Sequence, residues 1–152
     1  MDGTQYTTPY TFSWLPGSSH TVSALDGQAN GTRYRWMSWS DSGAQTHTSV
    51  APSAAATLSA TYMIEHTVSS KSSTSSGTVS QSPVASGNYL QDGQSASFTA
   101  QPGDGLCFTG WSGSASGAAN PLSLTVRQPV SVTANFGSGT VSVSPSTVSV
   151  TS

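Results

Sequence analysis

Charged side chains are scarce in this 152-residue sequence, in which Asp, Glu, Lys and Arg together supply 7% of the residues and the formal net charge is −2. The four basic residues are Arg33, Arg35, Lys71 and Arg127. Binding to a phosphate backbone needs a basic patch or stripe, so nucleic acid is excluded as the expected partner. Low charge with 9% aromatic residues is also unlike a disordered tail, which has high net charge and few aromatic residues.

Cysteine and long apolar runs are equally scarce. The single cysteine, Cys107, excludes an internal disulfide framework and a zinc site built from several cysteines. Its neighbours Leu106 and Phe108 are apolar, which predicts a buried and unreactive thiol. No run approaches the roughly 18 apolar residues of a membrane-spanning helix, so no membrane insertion is expected. Residues 1–3 lack the basic start and apolar stretch of a signal peptide, which indicates a fragment of a longer chain.

What the sequence has instead is an alternation of apolar and polar residues. Runs of period two occur at residues 11–14, 20–24, 96–100, 122–126 and 130–136. Such runs predict strands with one buried and one solvated face, and turn-forming dipeptides such as Pro16-Gly17 and Asp92-Gly93 lie between them. Only residues 54–58 could form even one helical turn. The sequence therefore predicts an all-β fold with little or no helix.

The chain also resembles itself. Residues 36–40 (WMSWS) align with residues 108–112 (FTGWS), and residues 60–62 (ATY) align with residues 134–136 (ANF). Self-similarity at a fixed spacing is the sequence signature of a repeat architecture. We therefore predict two tandem copies of one small antiparallel β module, each with four to six short strands.

The predicted domains follow from this repeat. The first module is expected at residues 1–63, the second at 64–136, and a linker with the start of a further domain at 137–152. The first copy lacks an opening strand before the Asp2-Gly3 turn, so a strand at residues 5–14 is expected to expose an unpaired edge. An exposed edge strand allows self-association by strand addition, for which the Val-rich tail at residues 140–150 is the predicted donor.

Ser112, in the stretch FTGWSGS, is the one candidate nucleophile. A nucleophile elbow needs G-x-S-x-G between a strand and a helix, whereas here the fifth position is Ser114 and no helical pattern follows. All three histidines precede it, and none of them has the spacing of metal ligands. We therefore predict no catalytic residue, no metal site and no enzyme activity. Ser112-Gly113 is instead predicted to form a tight turn after a strand that ends at Trp111.

Several short motifs of the second copy occur together in a recognisable order. They are Thr78-Val79, Gly93, residues 100–102 (AQP), 108–113 (FTGWSG), 120–122 (NPL) and 133–136 (TANF). Together they resemble the divergent B-repeat family of internalin-like bacterial surface proteins over nearly all of residues 66–136. The resemblance implies a β-grasp-related module, strung in tandem in secreted or cell-surface bacterial proteins, without catalytic residues or a cofactor.

The aromatic residues divide into two predicted roles. The predicted core anchors are Trp39, Trp111, Phe108, Tyr62 and Phe136. Tyr34 and Trp36 share one face of a strand, where they could form a platform on which a sugar ring stacks. The expected function is thus a structural spacer or adhesion segment outside a bacterial cell, with an unidentified protein or glycan as partner. The alternative is a carbohydrate-binding module appended to a secreted hydrolase.

Overall fold

The computed structural model describes residues 1–139, which contain eleven strands and no helix, so no helix in them could span a membrane. The strands are β1 (Ser19–Ser23), β2 (Gly27–Ala29), β3 (Thr32–Trp39), β4 (Thr46–Val50), β5 (Ala60–Ser72), β6 (Thr78–Ser82), β7 (Tyr89–Gln91), β8 (Ser95–Gln101), β9 (Leu106–Gly113), β10 (Leu122–Thr125) and β11 (Val130–Ser138). Residues 54–58 lie in the loop before β5. The prediction of an all-β fold is confirmed.

The strands form two compact units that interleave along the chain. The first unit consists of Met1–Thr67, Ser86–Gln94 and Val126–Pro129. The second consists of Val68–Ala85, Ser95–Thr125 and, among the described residues, 130–139. These units are defined by contacts in space, whereas the predicted modules at 1–63 and 64–136 are defined by sequence repetition. The division into two repeat modules stays a prediction.

In the first unit, β1 pairs antiparallel with β4, and β3 pairs antiparallel with both β2 and β5. The β2–β3 hairpin turns at Asn30-Gly31, where both residues have positive φ, as this tight turn requires. Strand β7 adds to β5 in antiparallel register at residues 65–67. The buried side chains of this unit are Val22, Ala24, Ala51, Leu90 and Val126, with Glu65 and His66 as buried polar groups.

In the second unit, β8 pairs antiparallel with β6 and β10, and β11 pairs antiparallel with β9. Strand β11 also pairs with the second half of β5, and this pairing is parallel, with Val130 opposite Val68. The prediction of purely antiparallel modules is therefore wrong at this pair. A parallel pair needs a long crossover, and the chain from β6 to β10 supplies it.

Strand β5 continues to Ser72, and β6 pairs with β8 and not with β5. One other predicted element differs in the structure. Residues 5–14 do not form a strand, because their aromatic side chains stack on one another in an irregular segment. Alternation of apolar and polar residues indicates that one face is buried, but it does not indicate which strand is the pairing partner. The predicted donor tail at residues 140–150 lies outside the described residues.

Strand β9 corrects two further predictions. The predicted turn at Ser112-Gly113 is wrong, because β9 runs through Gly113, which lies opposite Val132. Cys107 is exposed and not buried, since it lies between the half-buried residues Leu106 and Phe108 and alternation places it on the opposite face.

Each unit contains one strand ladder with the same irregularity. In the first unit, Trp36, Ser38 and Trp39 pair with Tyr62, Thr61 and Ala60. In the second unit, Phe108, Gly110 and Trp111 pair with Phe136, Asn135 and Ala134. Each ladder skips one residue, Met37 or Thr109, at the same position of the repeated motif. A bulge of this kind is a specific feature of a sheet, so its recurrence supports the two-copy prediction.

Candidate functional site

The predicted core anchors are centred on two tryptophans. Trp111 is 4% exposed, its indole N–H donates to the carbonyl of Ala119 at 2.8 Å, and its ring lies 5.3 Å from that of Phe108. Phe108 in turn packs edge-to-face against Phe136 at 6.0 Å between ring centroids. Trp39 is half-buried.

The indole of Trp39 makes the corresponding bond in the first unit. Its N–H donates to the carbonyl of Gln45 at 3.1 Å. The side-chain amide of Gln45 then donates to the carbonyl of Ala24, as that of Asn120 donates to Ala100 in the second unit. Both anchors thus fix the loop that follows their strand. Tyr62, the remaining predicted anchor, is half-buried on β5 opposite Trp36.

The two residues predicted to form a sugar platform differ in their surroundings. Tyr34 is 42% exposed and lines a shallow groove of about 330 Å³ together with Arg33, Arg35 and Asp26. Trp36 is half-buried, and its indole N–H is enclosed without a hydrogen-bond partner among the described residues. The sugar platform stays a prediction.

An extensive polar arrangement that the sequence patterns do not predict surrounds β5. We call it the Glu65–His66 cluster, and it consists of Thr32, Arg33, Glu65, His66, Tyr89, Asp92 and Arg127. Glu65 and His66 are adjacent on β5 and only 8% and 6% exposed. Arg33 donates two hydrogen bonds to the Glu65 carboxylate, from Nε at 2.7 Å and from Nη2 at 3.1 Å. The guanidinium carbon of Arg33 lies 4.0 Å from the centre of the Tyr89 ring, which is a cation–π contact.

Electrostatics in this cluster favour the charged pair. The hydrogen bonds from Arg33 lower the pKa of Glu65 below its ordinary value, and burial opposes that shift. The hydrogen bond from Glu65 correspondingly raises the pKa of Arg33. Two-point hydrogen bonding of this kind fixes geometry as well as charge, so Arg33 holds β3 and β5 in register and also contacts β7.

His66 links the same elements through neutral and charged partners. Its Nδ1 lies 2.9 Å from the Thr32 hydroxyl, its Nε2 lies 3.1 Å from Asp92 Oδ1, and Arg127 donates to Asp92 Oδ2 at 3.3 Å. A hydroxyl, an imidazole and a carboxylate in this order invite comparison with a catalytic triad. The imidazole is buried, however, and neither Thr32 nor His66 lines the grooves described here. The arrangement therefore fastens the turn after β7 to β3 and β5.

A signal for this cluster was present in the sequence. Glu65-His66 directly follows the apolar residues Met63 and Ile64 within a β-type stretch, and adjacent polar residues inside a strand need partners when they are buried. Asp92 was interpreted only as a turn former. Its partners could not be recognised because they lie on distant strands.

A second polar cluster surrounds His47. Its Nε2 lies 2.9 Å from Asp41 Oδ2, its Nδ1 lies 2.8 Å from the carbonyl of Ala44, and its ring meets Trp39 edge-on at 5.9 Å. Both partners of the ring nitrogens are acceptors, and only the protonated imidazole can donate to both. The hydrogen bond to Asp41 accordingly raises the pKa of His47. The pKa of Asp41 is lowered, first by the Gly43 N–H and then by His47.

Four rings of the irregular segment before β1 and the imidazole of His20 on β1 form a row of neighbouring rings, which we call the aromatic row: Tyr6, Tyr10, Phe12, Trp14 and His20. Neighbouring ring centroids along the row are 4.5, 4.7, 4.8 and 3.8 Å apart. Trp14 lies nearly parallel to both Phe12 and His20, at 20° and 7°. Beside the row runs a groove of about 1840 Å³, lined also by parts of β1, β4 and the loop before β5.

Within residues 1–139, no group of three or more His, Cys, Asp or Glu side chains is arranged as metal ligands. No curated protein and no solved structure matches the chain at a significant level. Residues 67–140 match the family model described as the divergent InlB B-repeat domain. Repeats of this family are typically non-catalytic modules of bacterial surface proteins. These residues, just under half of the chain, are therefore similar to the divergent InlB B-repeat domain family.

Proposed function

We propose that the chain is a non-catalytic segment of two tandem B-repeats that spaces or presents other domains at a bacterial surface. The observation that carries the proposal concerns the buried titratable groups of the described residues. Glu65 and His66 are bonded to side chains of the fold itself, so their chemistry maintains the structure and is not directed at a substrate. The family of residues 67–140 supports the same conclusion.

The proposed location is extracellular or on the cell surface. The outward residues of the strands are mostly Ser, Thr and Gln, as in β6 and β8, and few of them carry charge. A neutral hydroxyl-rich surface is compatible with this location. The recurrent ladder of β3–β5 and β9–β11 supports residues 1–63 as a second copy of the family repeat.

A surface-display experiment tests the spacer function. One, two or three copies of the chain are placed between a cell-wall anchor and an epitope on a Gram-positive bacterium. We expect antibody binding to the epitope to rise with each copy, because every folded copy moves the epitope further from the wall. A matched insert of equal length carrying Trp39→Ala and Trp111→Ala should give a smaller rise. Epitope binding that is independent of copy number would refute the spacer function.

Carbohydrate binding is the second candidate, and the exposed Tyr34 ring beside a groove is the observation that favours it. Tryptophan fluorescence titrated with cell-wall and plant polysaccharides tests this function. The spacer proposal expects no saturable change. A saturable change that disappears in Tyr34→Ala, but not in Tyr10→Ala, would favour the carbohydrate-binding module.

A further inference from the structure

The strand β7 shows how a repeat can attach to the one before it. Residues 86–94 belong to the second copy by sequence but lie in the first compact unit. Strand β7 pairs there with β5, with Leu90 opposite His66, and the Leu90 side chain is buried. The residues that open the second copy therefore complete the sheet of the preceding one.

The first copy has a counterpart of this segment at residues 13–15. Three backbone hydrogen bonds define the turn after β7, namely Gly93 to Val126, Val126 to Gln94, and Gln94 to Gln91. The turn at Pro16-Gly17 repeats all three, as Gly17 to Ala51, Ala51 to Ser18, and Ser18 to Leu15. The correspondence places Ser13, Trp14 and Leu15 at the positions of Tyr89, Leu90 and Gln91.

This counterpart has no strand beside it. Among the described residues, the backbone of residues 5–14 makes no hydrogen bond to another backbone group, whereas β7 is paired. Leu15 is 80% exposed, Tyr10 is 55% exposed, and the 1840 Å³ groove runs beside them. Unpaired backbone next to exposed apolar side chains is the condition under which a strand adds to a sheet.

We propose that residues 13–15 pair with a strand of another B-repeat placed upstream in the same polypeptide, as β7 pairs with β5. A covalently linked repeat is present at high effective concentration, which favours it over a second copy in solution. A sugar is a poorer fit, because Trp14 is already stacked on Phe12 and His20.

Two hydrogen bonds of the β7 attachment do not recur. Asp92 donates its N–H to Ile64 and accepts from His66, whereas its counterpart Pro16 has neither an N–H nor a carboxylate. The attachment at residues 13–15 therefore depends on the apolar contacts of Trp14 and the aromatic row. The inference rests on the two-copy part of the proposed function and not on the cellular location.

Hydrogen exchange in a head-to-tail tandem of two full chains tests the proposal. In the single chain, peptides covering residues 5–15 should exchange as one fast population. In the tandem, half of these peptides should exchange at about one tenth of that rate or at a lower rate, because only the downstream copy has an upstream repeat. Trp14→Ala in the downstream copy should remove the slow population, and the same substitution in the upstream copy should leave it unchanged.

The outcomes separate the alternatives. A tandem that exchanges like the single chain would overturn the proposal. A slow population that occurs in the single chain and disappears on dilution would also overturn it, in favour of a second copy in trans. Slow exchange at Leu90 in every variant shows that the fold is intact. Failure of the attachment would then leave the spacer function, which the display experiment tests separately, unaffected.

Discussion

The two units differ in their polar contacts because equivalent positions of the repeated motif hold different side chains. Trp36 occupies the position of Phe108, and His47, opposite Val22, occupies that of Leu122, opposite Phe98. At each of these two positions the side chain of the first unit carries a polar nitrogen, whereas the equivalent side chain of the second unit is apolar. Within residues 1–139 the Trp36 N–H has no hydrogen-bond partner, whereas the two ring nitrogens of His47 each have one.

The substitution Trp36→Phe tests the consequence of the unpaired indole N–H. Removing a buried donor without a partner relieves a desolvation cost of about 1–3 kcal/mol, which offsets the lost ring area. We expect the free energy of unfolding to stay within about 1 kcal/mol of the unmodified chain in urea denaturation. The matched control Trp39→Phe loses its bond to Gln45 and should be the more destabilising of the two. The reverse order would contradict this interpretation.

Truncating the buried ring of Trp111 should be costly for stability. It is buried against Phe98 and Phe108, so Trp111→Ala removes packing and leaves a cavity. We expect a loss of about 3–5 kcal/mol in the free energy of unfolding. The exposed Tyr34→Ala provides the control and should change little. A loss below about 1 kcal/mol for Trp111→Ala would return this residue to the candidates for ligand binding.

The His47–Asp41 pair should make stability depend on pH. The pKa of His47 is raised in the folded chain by its hydrogen bond to Asp41, so its contribution is complete below the unfolded pKa and is lost as pH rises through the folded value. Stability should therefore fall as the pH rises above the ordinary histidine pKa of 6.5. His47→Leu, which copies Leu122, should flatten this slope in thermal melts. His20 and His66 are present in both the unmodified chain and the His47→Leu variant. An equal slope of stability against pH in the two would therefore exclude His47 as the source of that slope.

At the scale of the element, strand pairing depends on close approaches that only some residues allow. Gly113 ends β9 with φ at 101°, and a Cβ there would meet the carbonyl oxygen of Ser131. Gly27 in β2 has open space around it and no positive φ. The same residue type is thus required at one strand position and dispensable at the other.

Gly113→Ala should therefore weaken the β9–β11 ladder. The added methyl group meets the backbone of β11, and the residue would keep a strained φ, so we expect a loss of about 2 kcal/mol or more. Gly27→Ala is the matched control and should stay within about 0.5 kcal/mol. Calorimetry of both variants checks the prediction. Equal melting temperatures would show that the ladder does not need the close approach.

The strands themselves could be predicted from the sequence, but their partners could not. Alternation located β8, β10 and β11 and the repeated motif located β3 and β9, because both signals are local. The parallel β5–β11 pair and the partner of β6 depend on contacts between distant residues. Cys107 was misjudged because its neighbours in sequence face the other side of the strand. The Glu65–His66 cluster needed four separate segments to be brought together.

At the scale of the whole molecule, repetition in sequence and compactness in space divide the chain differently. Residues 86–94 and 126–129 lie within the predicted second module at 64–136 but belong to the first compact unit. The Glu65–His66 cluster is the device that holds β7 and its turn in that unit.

The central claim is that one repeat frame is built twice, once in each unit. Cross-strand NMR contacts between backbone protons test it most directly. The account predicts contacts of Trp36 with Tyr62 and of Phe108 with Phe136, with Met37 and Thr109 both skipped. A first unit in which Met37 is paired and β3 runs against β5 without a bulge would contradict the claim.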